Sequence, residues 1–197
     1  MNARSRRTRE ALLAATRELL TDGGFEAVTM AAVADRAGVS RRGVYLHFPS
    51  RSELIDELAG QIADEAGLAP SLDPVFQAAD PVSALRAWAG HLGTYVLRIA
   101  PVMRAADRVH QVDPDAARHR AKVHANQLLS CQMLMAWLDH AGLLAEPWTV
   151  DSAAEMLQAL SSPDLPELLI VEHGWPLERF QDHVAALLER TFRRMTT

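Results

Sequence analysis

The chain has 197 residues, of which 49% are hydrophobic, 23% charged and 6% aromatic, and it contains one cysteine. This length suits one sizeable domain or two small ones; the apolar share excludes a largely disordered chain, and a lone cysteine excludes an internal disulfide or a cysteine zinc site. No run of about 18 apolar residues occurs and no apolar leader follows the basic N-terminus, so a cytoplasmic protein without a membrane span is the expectation.

The net charge of −5 conceals an asymmetry. Residues 1–52 hold nine arginines against five acidic residues, a balance of +4, whereas 53–197 hold eleven basic against twenty acidic residues, a balance of −9. A basic quarter on an acidic body fits a nucleic-acid-binding head joined to a partner domain, and 1–52 and 53–197 are read as those two domains.

In chain order every element reads as helix, and no stretch alternates long enough for a strand. Thr8 offers a cap for a first helix to about Asp22, with Leu12, Ala15 and Leu19 at helical spacing and Gly23-Gly24 as its stop. Thr29 caps a short second helix, Met30 to Ala37, Gly38-Val39 forms a turn, and Ser40 caps a third helix, Arg41 to Phe48. Pro49 stops it, and Ser50 with Glu53 opens a fourth helix to about Ala66. Three prolines between Pro70 and Pro81 predict a loop. Asp80-Pro81 then opens a helix to about Ile99, which Pro101 separates from a shorter one ending near Val112. Asp113-Pro114 starts a very long helix to Ala141, Thr149 caps another to Leu160, Ser162-Pro163 opens a short segment to His173, and Pro176 begins the last helix, to about Arg194.

The second and third helices have helix–turn–helix spacing. Ala34 supplies a small side chain where the helices cross, and Gly38 accepts the left-handed backbone of the turn. Val33, Ala37, Val39, Val44 and Phe48 then point inward onto Leu12, Ala15, Leu19 and Phe25. The outward face of the third helix keeps Arg41, Arg42, Gly43, Tyr45 and His47, a donor-rich surface suited to a major groove.

The string VTMAAVADRAGVSRRGVYLHFPSRSEL resembles the DNA-binding domain of the TetR family of bacterial regulators over about residues 8–58. Phe25 and Thr29, Ala37-Gly38-Val39-Ser40 at the turn, and Tyr45-x-His47-Phe48 followed by Arg51 carry the resemblance. It implies an all-α protein with an N-terminal helix–turn–helix and a larger C-terminal helical domain. It also implies that Thr29 contacts phosphate through its hydroxyl, that Arg41, Arg42 and Gly43 at the Ser40-capped start of the third helix face base edges, that Tyr45 and His47 line the groove wall, and that Arg51 holds a backbone phosphate. Gly43 departs from the commoner Thr, Ser or Ala and weakens the helix by about 1 kcal/mol against Ala. Arg4, Arg6, Arg7 and Arg9 read either as an arm along the duplex or as a solubilising tail.

One recognition helix reads few base pairs, so a two-fold dimer on a palindromic operator is expected. Ala153, Met156, Leu157 and Leu160 form one apolar stripe, and Phe180, Val184, Leu187, Leu188 and Thr191 another. The resemblance implies a four-helix bundle of the last helices of two subunits at these stripes, and LLIVEHGWPLERF resembles the end of a subset of the family. In the middle of the chain Trp88, His91 and Tyr95, Met103 and His110, and His124, Gln127, Cys131 and Met135 combine soft, aromatic and polar groups. The resemblance makes these candidates for a pocket that takes an apolar or aromatic small-molecule effector and changes the spacing of the two heads. The same stripes also suit plain core. His119 and His124 do not share a helical face as a metal pair, and Cys131 reads as a buried apolar residue. No phosphate loop, paired-cysteine, HExxH or GxSxG motif occurs, so neither catalysis nor a cofactor is expected. The reading is a DNA-binding repressor released by its effector; the alternative is a helical sensor or carrier that binds no operator.

Overall fold

The computed structural model describes residues 3–194. Among them the architecture is helical, with one isolated bridge between Leu144 and Arg193 and no strand. The elements are α1 (Ala3–Ala27), α2 (Met30–Ala37), α3 (Arg41–His47), α4 (Arg51–Glu65), α5 (Leu68–Phe76), α6 (Pro81–His91), α7 (Leu97–Val109), α8 (Pro114–His140), α9 (Val150–Leu160), α10 (Asp164–Pro166) and α11 (Leu177–Phe192), with π turns at Leu92–Val96 and Glu167–Glu172.

The helices fall into two compact units. One runs to Ala63 and takes in Pro101–Val123; the other joins Asp64–Ala100 to the chain from His124 onward. A cut at residue 52 therefore passes through α4.

In the first unit, α1 extends further toward the N-terminus than its expected start. Thr8 is no cap, since its hydroxyl donates to the Arg4 carbonyl at 3.1 Å. Gly24 (φ 70°) interrupts the end of α1 and returns Phe25 to the core. Leu12, Ala15, Leu19, Phe25, Val33, Ala34, Val44 and Phe48 are buried together, joined by Leu54, Ile55 and Leu58 of α4 and by Ala106 and Ala116 from the α7–α8 corner. Ala37 and Val39 are only half-buried at the rim.

The second unit departs from the sequence reading twice. The expected loop between Pro70 and Pro81 contains α5. Pro70 falls in its first turn, where backbone N–H groups have no helical acceptor, and Pro74 gives up only the bond to the Pro70 carbonyl. The break expected at Pro101 lies instead at the π turn Leu92–Val96, and α7 runs through the proline. Gly93 explains the place: a Cβ there would meet Leu177 Cδ1 at 2.7 Å and Phe180 Cδ1 at 3.0 Å, so α11 can lie against the turn only because position 93 has no side chain. Trp88, Leu92, Leu134, Met135, Leu138, Leu157, Phe180, Leu188 and Phe192 fill the core of this unit.

Candidate nucleic-acid interface

The helix–turn–helix is held by local bonds that its sequence specifies. Thr29 Oγ1 accepts from Ala32 N at 3.1 Å, leaving the hydroxyl proton free to donate outward. Gly38 (φ 67°) closes α2 in the left-handed conformation, and its N–H donates to the Asp35 carbonyl at 3.3 Å. Ser40 Oγ accepts from Gly43 N at 3.1 Å and caps α3. Val44 and Phe48 face the core, so the remaining positions of this short helix face out.

The outward face is cationic and aromatic. Arg41 and Arg42 are exposed, and neither has an ion-pair partner among the described residues. Tyr45 is 52% exposed and lies one turn on from Arg41 and Arg42. Gly43 and His47 are half-buried at the edges of this face. A Cβ at Gly43 would lie 3.3 Å from Ser40 Oγ, crowding the cap atom. The sequence reading missed Leu46, which is 76% exposed and continues the strip begun by Arg41, Arg42 and Tyr45. Its signal was available, because residues one and five positions beyond Arg41 share that helical face. Chemically, the strip offers guanidinium forks for guanine or phosphate, a phenol, and an apolar tip suited to a thymine methyl.

Arg9, Arg36 and Arg51 of the head are engaged internally. Arg36 pairs with Glu18 at 3.0 Å and Asp22 at 3.4 Å. Arg9 pairs with Glu57 and lies 4.8 Å from the centre of the Phe48 ring, so it belongs to neither an arm nor a tail. Arg4, Arg6 and Arg7 are exposed on the first turns of α1, with Arg6 3.8 Å from Glu10. Arg51, expected on a phosphate, points inward with a 19% exposed side chain. Its Nε donates to Val28 O and its Nη2 to Phe25 O, each at 2.5 Å. Nη1 and Nη2 hold Asp113 at 2.9 and 2.8 Å, and Nη1 also reaches Asp115 at 3.1 Å. The bond to Arg51 holds the Asp113 carboxyl below the usual carboxylate range, and the same bond raises Arg51. A guanidinium with two backbone carbonyls and two carboxylates as acceptors is satisfied where it is.

The expected effector residues are gathered in part. Trp88, His91, Tyr95, Cys131 and Met135 are buried in the second unit. His91 stacks on Tyr95 at 5.1 Å and its Nδ1 lies 2.9 Å from Ser71 Oγ. Trp88 Nε1 donates to Ser161 Oγ at 2.9 Å, and Gln127 lies 3.5 Å from the Ser161 carbonyl. Burial pushes His91 down to about 4 and Cys131 up to about 12; burial, then the Asp64 charge, raises Tyr95 to about 12. His124 does not join them, being exposed on α8, and Met103 and His110 belong to the first unit.

The expected dimer stripes divide the same way. Leu157, Phe180, Val184 and Leu188 are buried in their own subunit's core and cannot line a surface. Leu160 and Thr191 are half-buried, while Met156 and Leu187 remain exposed, at 41% and 46%. A surface groove of about 660 Å³ follows α11 beside Leu187's turn, lined by Arg86, Asp182, Ala186, Glu189 and Arg190 among others. No helix among the described residues is long and apolar enough to cross a membrane.

Known proteins match this organisation. The family model described as bacterial regulatory proteins, tetR family, matches residues 12–58, which include the whole turn and α3. Over 56 residues, 28% of this chain and 26% of that protein, the sequence is 43% identical to the HTH-type transcriptional repressor KstR of Mycobacterium tuberculosis. The HTH-type transcriptional repressor BepR of Brucella suis is 25% identical over 188 residues, 89% of this chain and 87% of BepR. The crystal structure of NalD, the secondary repressor of the MexAB-OprM multidrug efflux pump in Pseudomonas aeruginosa, shares the fold with a TM-score of 0.67 at 20% identity, covering 98% of this chain and 99% of NalD. The head of the chain, with its helix–turn–helix and exposed cationic α3, thus matches the DNA-binding domain of the TetR family of bacterial regulatory proteins over residues 12–58, and the helical fold as a whole is shared with a solved repressor structure.

Proposed function

We propose that the protein is a cytoplasmic, homodimeric repressor that binds a palindromic operator and is released by a small-molecule effector. The observation that carries the DNA reading is the strip formed by Arg41, Arg42, Tyr45 and Leu46, exposed on a helix whose other side is pinned in the core. Arg41 and Arg42 face base edges, the Thr29 hydroxyl and the cap at Ser40 approach phosphate, and Tyr45, His47 and Leu46 follow the groove wall. Half-buried Gly43 lets the backbone come close to the duplex.

Two copies meet through the exposed parts of α9 and α11, around Met156 and Leu187, with Leu160 and Thr191 at the edge. The effector is apolar or aromatic and enters among Trp88, His91, Tyr95, Gln127, Cys131 and Met135. In support, these side chains combine an aromatic stack with a few oriented polar groups. Effector binding weakens operator binding only by its preference for one dimer geometry, typically about 1–3 kcal/mol. The protein acts by binding and not by catalysis.

Selection of bound sequences from a random duplex pool tests this reading, because it reports half-site, spacing and symmetry together. A recovered inverted repeat with half-sites about one helical turn apart or more is the expected result. Recovery of no common sequence would favour the sensor or carrier without operator binding.

A further inference from the structure

We infer that Arg51 positions the DNA-reading surface from within and makes no phosphate contact itself. A guanidinium has five N–H donors. Here Nε–H goes to Val28 O, the two Nη1 donors to Asp113 and Asp115, and the two Nη2 donors to Phe25 O and Asp113. Each donor has its acceptor, so none is left for a phosphate. The charge is compensated as well, since Asp113 faces the Arg51 guanidinium at 2.8 Å and Asp115, shared with Arg118 at 3.2 Å, lies against it at 3.1 Å.

What these bonds fix is the turn from Phe25 to Thr29. Two of its carbonyls are held by Arg51, and the next residue, Thr29, is the cap of α2. The other end of the clamp is itself rigid: Asp113 Oδ1 also accepts from Asp115 N at 2.9 Å and Ala116 N at 3.1 Å, which caps α8. Ala116 is buried in the same core as Val28 and Phe25. Arg51 thus ties the entry of the helix–turn–helix to the first turn of α8. A lysine at this position keeps a point charge but cannot serve two carbonyls and a bidentate carboxylate together.

The inference rests on the DNA-recognition reading, and its test is built to separate the two. A labelled duplex selected from a random pool by the full-length protein is titrated by fluorescence anisotropy at several salt concentrations. Wild type, Arg51→Lys, Asp113→Asn and the double variant are compared. Asparagine retains the cap oxygen for α8, so Asp113→Asn probes the clamp while keeping the helix start, and circular dichroism follows the fold of each variant.

The clamp predicts that Arg51→Lys and Asp113→Asn each weaken binding about tenfold or more. The slope of log affinity against log salt stays at the wild-type value, and the double variant is no weaker than the worse single one. A phosphate contact predicts the opposite signs. Arg51→Lys would then bind like wild type, and Asp113→Asn would bind more tightly with a slope steeper by about 0.9, because a cation had been freed for the backbone. That result overturns the clamp and leaves the DNA reading intact. If the wild type selects no duplex at all, the DNA reading falls and the clamp falls with it.

Discussion

On α3, Arg41, Arg42 and Tyr45 are exposed and the two arginines have no ion pair among the described residues, while in the second unit Trp88 and His91 are buried and Trp88 Nε1 and His91 Nδ1 each meet a serine hydroxyl. The first arrangement leaves hydrogen-bonding capacity unspent and available to a partner. The second spends it inside the fold, so any ligand that enters must replace those bonds. Polar residues in a helical protein therefore point to function only after their internal partners are counted. Arg51 and Arg41 make the same point within one unit: they are equal in charge, and one is saturated while the other is exposed with no ion pair among the described residues.

The contrast can be tested at both ends. Trp88→Ala removes a fully buried ring and should cost about 3–5 kcal/mol, read as a lower urea midpoint. Leu187→Ala, on the exposed side of α11, should leave the unfolding of an isolated subunit within about 0.5 kcal/mol. Equal losses would mean that Leu187 is core after all.

His91 adds a pH dependence whose sign is fixed by its burial. Its folded value lies near 4, below the ordinary 6.5, so the folded state binds the proton less readily than the unfolded chain. Stability from this group is complete above about pH 6.5 and is lost as pH falls toward 4, about 3 kcal/mol in all. Chemical denaturation of wild type and His91→Phe between pH 7 and 4 should show a steeper loss in the wild type. Parallel curves would contradict the buried neutral imidazole. Asp113 and Asp56 act lower in the scale. Both lie below the ordinary carboxylate range: Asp113 through Arg51, Asp56 because Lys122 and His119 outweigh the upward effect of burial. Their contribution persists above about pH 4 and is lost only in stronger acid.

Leu46 carries the smallest expected effect. Contact of its tip with a thymine methyl is worth about 0.8 kcal/mol, so replacing thymine by uracil in the half-site should weaken wild type about fourfold and Leu46→Ala not at all. Equal sensitivity in both proteins would remove Leu46 from the groove.

Much of the head was legible in the sequence because its signals are local. Thr29, Gly38 and Ser40 fix caps and turn within three or four residues of themselves, and α2 and α3 follow to within a residue. The packing of Ala106 and Ala116 on that head was not legible, because it joins residues more than fifty positions apart and small alanines carry no directional signal. The internal partners of Arg51 were not legible for a related reason: Asp113 and Asp115 are distant in sequence, so only the charge of Arg51 is visible there. In the second unit, apolar residues at helical spacing look alike whether they face their own core, as Phe180 and Leu188 do, or solvent, as Leu187 does. Pro70, Pro74 and Pro101 look like helix breaks in the sequence but lie within helices, where a first turn or a single lost bond accommodates them.

The central claim is that the outward face of α3 reads a duplex, and a paired titration tests it most directly. The wild type and the Arg41→Ala/Arg42→Ala variant are titrated with a pool-selected duplex and with a scrambled duplex of equal length and composition, at one salt concentration. The account predicts that the variant loses at least tenfold on the selected duplex and much less on the scrambled one, so the ratio between them collapses. An unchanged ratio, with both affinities as in the wild type, would contradict it.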